Sequence, residues 1–407
     1  MSKIAVVGGK RLSGAVVPSG SKNATLPIIF AAITSRGVSR LKGAADIGDV
    51  SVAVKIIENL GATVEKRKDS LVINTENMTY RKPPSALTSK IRASSYLIGS
   101  CLARFGRFDL SDVGGCNFCN RPIDMHVSAA ISLGAELNDG TLVAKRLTGG
   151  KIKFDKKSVG ATMNALIMSA SADGDVEIEG AAEEPHVRVL ADYLSRAGAK
   201  IEFSKNKILI SPSALSGADV DIIPDMIEAG TYLILAPLTE GRVKIKTTGE
   251  LELDSFLEAL SDAGIGISMD KSGITAYGTP SRPIQVKTAP HPGYPTDLQP
   301  QIAPLMAKYF GGVIEEGVWQ QRLSYLDALA SFGVRNTRTD SRAIILPSEL
   351  HAGICDAPDL RGGAAALMSA LAVRGDSEIG KYEIIKRGYE DLVEKLTSLG
   401  GEVLEIN

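Results

Sequence analysis

The chain has 407 residues, 44% of them hydrophobic, with 46 basic and 47 acidic side chains and a formal net charge of −1. That length supports two ordinary domains, and the near-neutral balance gives no support to nucleic-acid binding by bulk electrostatics. No apolar run reaches membrane-spanning length without a charge or glycine break, the N-terminus lacks the pattern of a signal peptide, and four cysteines are too few for a disulfide framework, so a cytoplasmic protein with reduced thiols is expected.

Taken in chain order, the elements repeat. A helix ending in Leu-Gly-Ala or a close variant, followed by two short strands about a polar turn, recurs at Gly61, Gly134, Gly198, Gly264, Gly333 and Gly400, at intervals of 73, 64, 66, 69 and 67 residues. In phase with it, a run of small and apolar residues ends at Gly37, Gly106, Gly174, Gly241, Gly311 and Gly375, at intervals of 69, 68, 67, 70 and 64. Two markers with one period define six copies of one supersecondary unit. Its first helix is apolar all round, as in Ala24–Ile33 or Ala364–Ala372, which predicts burial on every side. Its second helix is amphipathic: at the C-terminus, residues 389, 392, 393, 396 and 399 keep to one face and predict a surface helix over 389–399. Alternating stretches such as Ala199–Phe203 and Lys207–Ile210 then read as a hairpin. The unit is βαβαββ in an α/β fold, with buried helices and sheets outside, and three copies per domain is the simplest division.

Functional groups gather where the buried helices begin. The six starts carry Ser21-Lys22-Asn23, Lys90-Ile-Arg92, Lys156-Lys-Ser158-Val-Gly160, Pro224-Asp-Met-Ile-Glu228, Pro295-Thr-Asp297 and Asp359-Leu-Arg361. Helix N-termini offer unpaired N–H groups and the positive end of a dipole, so several together make an anion site. Lys22, Arg92, Arg121, Arg361 and Arg387 add charge and point to a substrate with several phosphates or carboxylates. Taken singly, such residues are more often caps and surface charges; their recurrence at one place in each repeat is what favours a site.

The strongest local departure from the repeat is Asp112-Val-Gly-Gly-Cys-Asn-Phe-Cys-Asn-Arg-Pro-Ile-Asp-Met-His126. Two glycines open the backbone before Cys116, and Arg121 nearby favours a thiolate, which makes Cys116 a candidate nucleophile or acid. The Cys116-x-x-Cys119 spacing leaves zinc and redox readings open, without a second cysteine pair or a His-x-x-x-His to complete a metal site. His126 reads as a packed or hydrogen-bonded histidine.

Six segments carry a resemblance across the whole chain: Ser19-Gly-Ser-Lys-Asn-Ala-Thr-Leu-Pro27, Gly114-Gly-Cys116 with Arg121-Pro-Ile-Asp-Met-His126, Ser158-Val-Gly-Ala-Thr162, Ala289-Pro-His-Pro-Gly-Tyr-Pro-Thr-Asp297, Asp359-Leu-Arg361 and Arg387-Gly-Tyr-Glu390. In this order they resemble the UDP-N-acetylglucosamine 1-carboxyvinyltransferase family. The resemblance implies an inside-out α/β barrel of two domains with three βαβαββ repeats each, spanning residues 21–225 and residues 1–20 plus 226–407, with the active site between them. It implies transfer of the enolpyruvyl group of phosphoenolpyruvate to the 3′-hydroxyl of UDP-N-acetylglucosamine with release of phosphate, opening peptidoglycan precursor synthesis. No metal or other cofactor is implied, lysine and arginine supplying the positive charge, and no nucleic acid or membrane partner.

By the same resemblance Cys116 is the acid, and the residue that forms a thioether adduct with phosphoenolpyruvate or reacts with fosfomycin. Asp297 is the base or hydroxyl-orienting residue, and Asp359 sits near the reacting methylene carbon. Lys22, Arg121 and Arg387 hold the phosphate; Arg322, Arg361 and Arg387 hold the carboxylate; Asn23 lies near the sugar hydroxyl. On the nucleotide side, Arg92 contacts the nucleotide sugar, Arg121, Pro122, Ile123, Asp124 and Met125 match the uracil segment, Lys156, Ser158 and Gly160 the diphosphate contacts, and Val318 the stretch along the sugar. Met226, where the family commonly has Arg, Gln320, where it often has Glu, and Asn117-Phe-Cys-Asn120 in the loop depart from the pattern. They leave room for another uridine nucleotide as acceptor or for a paralogue that binds nucleotide sugar without catalysis. The shikimate-pathway enzyme shares donor and fold, but the Gly-Gly-Cys and Arg-Pro-Ile-Asp segments are not its pattern.

Overall fold

The computed structural model describes residues 2–114, 122–205, 207–247, 249 and 251–406. They form two compact units, one from Met1–Ser19 and Pro224–Asn407, the other from the described residues between Gly20 and Ile223. Each has its own hydrophobic core.

The six apolar helices run through these cores, with the inner faces of the strands and amphipathic helices packed against them. Every residue from Ala24 to Ala31 of the helix Lys22–Ala31 is buried, as is every residue from Ile227 to Leu238 of Met226–Leu238 and from Arg361 to Ala372 of Leu360–Ala372. With no polar face to turn to water, such a helix is stable only when enclosed, and each Leu or Ile so buried contributes roughly 1.5–3 kcal/mol. The second helix of each repeat covers one side. In Pro185–Ala197, residues Val187, Leu190, Ala191, Leu194 and Ala197 face inward at helical spacing, and the Tyr193 hydroxyl reaches Ser39 Oγ at 2.9 Å.

Among the described residues, five sheets have four strands and one has three. Lys200–Ser204 and Lys207–Ser211 pair antiparallel with Lys200 opposite Ser211; the inner strand then pairs antiparallel with Asp173–Glu179, which runs parallel to Thr148–Lys153. The chain's first strands finish sheets of the C-terminal half: Lys3–Gly8 lies antiparallel to both Gly375–Gly380 and Glu402–Ile406, and Ser13–Val16 parallel to Arg242–Lys246. That pairing assigns the N-terminal segment to the unit that begins again at Pro224.

The glycines that mark the period have a backbone reason to be there. Gly61, Gly134, Gly198, Gly264, Gly333 and Gly400 all have φ between 84° and 132°, where a Cβ is strained, so each ends its helix and turns the chain into the hairpin. The helix expected over 389–399 is shorter, Leu392–Ser398. Asp391 takes a left-handed conformation, φ 49°, which breaks the helical path, and Tyr389 lies in the preceding turn.

The connection at residue 19 is tied down. Glu228 Oε2 accepts from the Ser19 backbone N–H at 2.6 Å, Glu228 Oε1 from Lys395 Nζ at 2.7 Å, and Lys395 Nζ also donates to Ser19 Oγ at 2.6 Å. Burial pushes the Glu228 carboxyl up to about 7, with Lys395 and the Ser19 N–H opposing it.

Candidate active site

In the unit between Gly20 and Ile223, Lys22 opens the first buried helix. Ser21 caps that helix, its Oγ accepting from Ala24 N at 3.3 Å, and Lys22 Nζ is 3.3 Å from Asp49 Oδ2, both side chains largely buried. Asn23 follows on the same first turn, half-buried. Arg92 starts a 3-10 turn, Arg92–Tyr96, that leads into the helix Leu97–Phe105, and its Nη1 donates to Gly114 O at 3.2 Å. Gly114 N donates in turn to Ser94 Oγ at 2.8 Å, and a Cβ on Gly114 would collide with the carbonyl of Thr88. The backbone entering the cysteine loop is thereby fixed. Cys116 and Arg121, with Cys119, lie outside the described residues. Pro122 and Ile123 precede the helix Asp124–Ser132, which begins with Asp124, Met125 and His126.

The third buried helix, Val159–Ser169, is capped by Ser158, whose Oγ accepts from Ala161 N at 3.3 Å; Gly160 lies in its first turn and Lys156 just ahead of it, exposed. Asn164 on this helix binds three elements together. Its Nδ2 donates to Ser95 O at 3.0 Å and to His126 Nδ1 at 2.6 Å, and its Oδ1 accepts from Gly99 N at 2.7 Å. With Nδ1 accepting, the His126 proton sits on Nε2, on the side of the ring against Gly160, where a Cβ would meet Nε2 at 3.3 Å. Burial, with Arg92 adding to it, pushes His126 down to about 4 and keeps it neutral.

In the unit that holds residues 224–406, Asp297 lies on the 3-10 turn Thr296–Leu298 before the helix Gln299–Lys308. Its Oδ1 accepts from Arg322 Nη2 at 2.8 Å and its Oδ2 from Arg361 Nη2 at 3.1 Å and Nε at 3.3 Å. The two arginine side chains are 4% exposed and Asp297 27%, so the carboxylate alone of the three faces appreciably outward. Burial would lower the Arg361 pKa, but Asp297, Tyr389 and Asp225 outweigh it and raise the pKa above its already high value. Glu316 shapes the neighbouring loop, accepting from Thr296 Oγ1 at 2.9 Å, Thr288 Oγ1 at 2.8 Å, Val318 N at 2.9 Å and Trp319 N at 3.0 Å. Asp359 is an N-cap: its Oδ1 accepts from Arg361 N at 2.9 Å and Gly362 N at 3.0 Å. Arg387 stands half-buried in the turn after Tyr382–Ile385.

The structure thus brings Asp297, Arg322 and Arg361 into one cluster, with Asp359 joined to Arg361 through the cap; Lys22 with Asp49, and Arg92 with Gly114, are separate contacts of the other unit. Asp49, Asn164 and Glu316 are partners that sequence reasoning missed, and Tyr389 was seen only as part of Arg387-Gly-Tyr-Glu390. Asn164 alone left a signal, a polar residue inside an otherwise apolar run.

The caps divide by charge. The first and third buried helices have neutral serine caps, Ser21 and Ser158, each beside a lysine, whereas the fourth and sixth have carboxylate caps, Asp225 and Asp359. A carboxylate already occupies the positive end of a dipole; a serine leaves it available to an anion. The serine-capped helix starts of the Gly20–Ile223 unit can therefore take an anion, and the other unit presents a carboxylate among guanidiniums, an arrangement that can orient a hydroxyl and take its proton. Among the described residues no cluster of three or more His, Cys, Asp or Glu could hold a metal ion, and no helix is long and apolar enough to cross a membrane. The described cysteines, Cys101 and Cys355, are free thiols, and burial raises the pKa of both, Cys355 to about 11.

A family model for EPSP synthase (3-phosphoshikimate 1-carboxyvinyltransferase) matches residues 6–396. Proteins named UDP-N-acetylglucosamine 1-carboxyvinyltransferase are 38% identical in Halothermothrix orenii and 36% in Trichlorobacter lovleyi, in each case over 100% of both chains. Among solved structures, the enolpyruvyl transferase NikO from Streptomyces tendae superposes with a TM-score of 0.88 at 27% identity, over 100% of this chain and 99% of that one. EPSP synthase from Acinetobacter baumannii, at 16% identity and TM-score 0.72 over 100% of both chains, shares the fold. Helices inside, sheets outside and a six-fold βαβαββ period are the inside-out α/β architecture of these enzymes, and the chain belongs to the enolpyruvyl transferase family, within it to the UDP-N-acetylglucosamine 1-carboxyvinyltransferases.

Proposed function

We infer that the protein transfers the enolpyruvyl group of phosphoenolpyruvate to the 3′-hydroxyl of UDP-N-acetylglucosamine, releasing phosphate, in the cytoplasm and at the first committed step of peptidoglycan precursor synthesis. The observation that carries this reading is Asp297 held by the buried pair Arg322 and Arg361, in a chain that aligns end to end with relatives named for the reaction. Cys116 protonates the methylene carbon of phosphoenolpyruvate, making C2 electrophilic. The sugar hydroxyl attacks C2 while Asp297 takes its proton, and the tetrahedral adduct then loses phosphate from C2 and a proton from the methyl carbon to regenerate the double bond. Lys22, Arg121 and Arg387 neutralise the phosphate and Arg322, Arg361 and Arg387 the carboxylate, where charge changes most. Lys156, Ser158 and Gly160 hold the diphosphate, residues 121–125 the uracil, Val318 and Asn23 the sugar, Arg92 binds the nucleotide sugar as well, and Asp359 flanks the reacting carbon. Fosfomycin would alkylate Cys116. Incubation with both substrates should give the 3′-enolpyruvyl ether of the nucleotide sugar and an equal amount of phosphate, by mass spectrometry and colorimetry; phosphate without that ether would overturn the reading.

A second acceptor, a simpler uridine nucleotide, is favoured by one observation. Met226 opens the fourth buried helix half-buried against the core, so the cation common in the family at that position is missing beside the cap Asp225. UMP as acceptor tests it directly.

A further inference from the structure

Beneath Arg361 lies a polar cluster that the reading of the site leaves unused. The Tyr389 ring is 3% exposed, and the Arg361 guanidinium carbon stands 5.6 Å from its centroid, in cation–π range. The hydroxyl at the far end of that ring points into the unit's interior, 3.0 Å from Thr231 Oγ1 and 3.3 Å from Gln301 Nε2, with Gln301 Nε2 also 3.4 Å from Thr231 Oγ1. The protons can be ordered. Thr231 Oγ1 donates to Ile227 O at 2.8 Å, so Tyr389 donates to Thr231, and both oxygens offer Gln301 only lone pairs. The phenol proton is therefore committed inward, and the ring face remains to act on Arg361.

Gln301 is fully buried, and its Oε1 has no partner among the described residues. A buried amide with an unpaired carbonyl costs stability that a leucine there would not. Thr231 and Tyr389 come from different elements, the fourth buried helix and the turn before Leu392–Ser398, and are joined through these hydroxyls. The outcome of the network is one fixed ring plane.

We propose that Tyr389 is a positioning residue of the active site: its ring, anchored by Thr231 and Gln301, is the platform that sets the Arg361 guanidinium so that Nε and Nη2 both reach Asp297 Oδ2. An arginine free to turn would meet Asp297 with one N–H or none, and the carboxylate would lose half its charge support. Among the described residues, the charged groups near this cluster are Arg322 and Arg361 on Asp297, Glu316 through Thr296, Asp359 at the cap, Asp225 near Arg361, and Glu228 with Lys395 one turn before Thr231 on the same helix. The proposal rests on Asp297 as the base.

The test uses the full chain and the pH dependence of kcat and KM with phosphoenolpyruvate and UDP-N-acetylglucosamine. Tyr389→Phe keeps the ring but removes its anchor; kcat should fall by a few-fold and the acid limb should move in the same direction as for Tyr389→Leu but by less. Tyr389→Leu removes the platform; kcat should fall by about ten- to a hundredfold, and the acid limb should move to higher pH by roughly half a unit to one unit, because a less supported carboxylate holds its proton longer. A general loss of packing would not move that limb. A folded Tyr389→Leu with wild-type kcat and an unmoved limb overturns the proposal. Should that variant not fold, Thr231→Val frees the hydroxyl end alone, and a smaller shift in the same direction supports the proposal while no shift overturns it. Asp297→Asn, run in parallel, separates the two claims: if its turnover collapses while Tyr389→Leu changes nothing, only the platform is wrong, and if it keeps wild-type turnover, the base is wrong.

Discussion

Asp297→Asn is the perturbation with the most to say about the site. It preserves shape but removes the negative charge between two guanidiniums, and sets an amide N–H₂ against Arg322 Nη2 at 2.8 Å or against Arg361 Nη2 at 3.1 Å. Truncating one partner of a fully buried ion pair costs about 3–5 kcal/mol; with Asp297 27% exposed, solvent screens part of this, and a loss of about 2–3 kcal/mol of folding stability is expected. Removal of a general base lowers turnover by about 10²–10⁴, or roughly 3–5 kcal/mol of barrier. The two arginines, released from their carboxylate, remain available to the anionic donor, so KM for phosphoenolpyruvate should hold or fall while kcat collapses. Steady-state phosphate release, with calorimetric binding of the nucleotide sugar and denaturant unfolding on the same samples, gives all three quantities. A kcat within about tenfold of wild type would refute the assignment of Asp297, and a large rise in KM with kcat intact would show it to be a binding residue instead.

Ser158→Asp keeps the cap of the third buried helix but fills its positive end with charge, so stability should hold within about 1 kcal/mol while the Kd for UDP-N-acetylglucosamine rises at least about tenfold; unchanged affinity would refute the argument from neutral caps. His126, pushed down to about 4 from an ordinary 6.5, should stay neutral with its proton on Nε2 throughout pH 5–8 in nitrogen-15 spectra. Since the folded value lies below the unfolded one, its contribution of up to about 3 kcal/mol is complete above pH 6.5 and lost as the pH falls through 4, which unfolding of wild type against His126→Asn at both ends of that window would measure. Fosfomycin should modify Cys116 alone, faster with nucleotide sugar present, and Cys116→Ser should abolish it; peptide mapping that puts the adduct on Cys119 would mean the wrong thiol was chosen.

Much of the fold was legible because its period is written in residues with backbone consequences. Glycine at Gly61 or Gly264 is required by a positive φ, and apolar runs such as Ile227–Leu238 have no solvent face, so helix burial and hairpin placement follow from sequence alone. The start of the second helix in the last repeat was not legible, because Asp391 leaves the helical region without a glycine or proline to announce it. At the site, residues at helix starts were visible as polar groups beside apolar runs. Their partners were not: Asp49 is 27 residues from Lys22, on the second helix of the same repeat, and Arg361 is 64 from Asp297, in the next repeat, distances that only tertiary packing closes.

The most direct test of the central claim is phosphate release from phosphoenolpyruvate, with kcat/KM measured in parallel for UDP-N-acetylglucosamine, UMP and shikimate 3-phosphate as acceptors. The account predicts turnover with the nucleotide sugar at least about a hundredfold more efficient than with either alternative. Equal or better turnover with UMP would move the protein to another acceptor, and no acceptor-dependent release from a folded sample that binds the nucleotide sugar would contradict the account altogether.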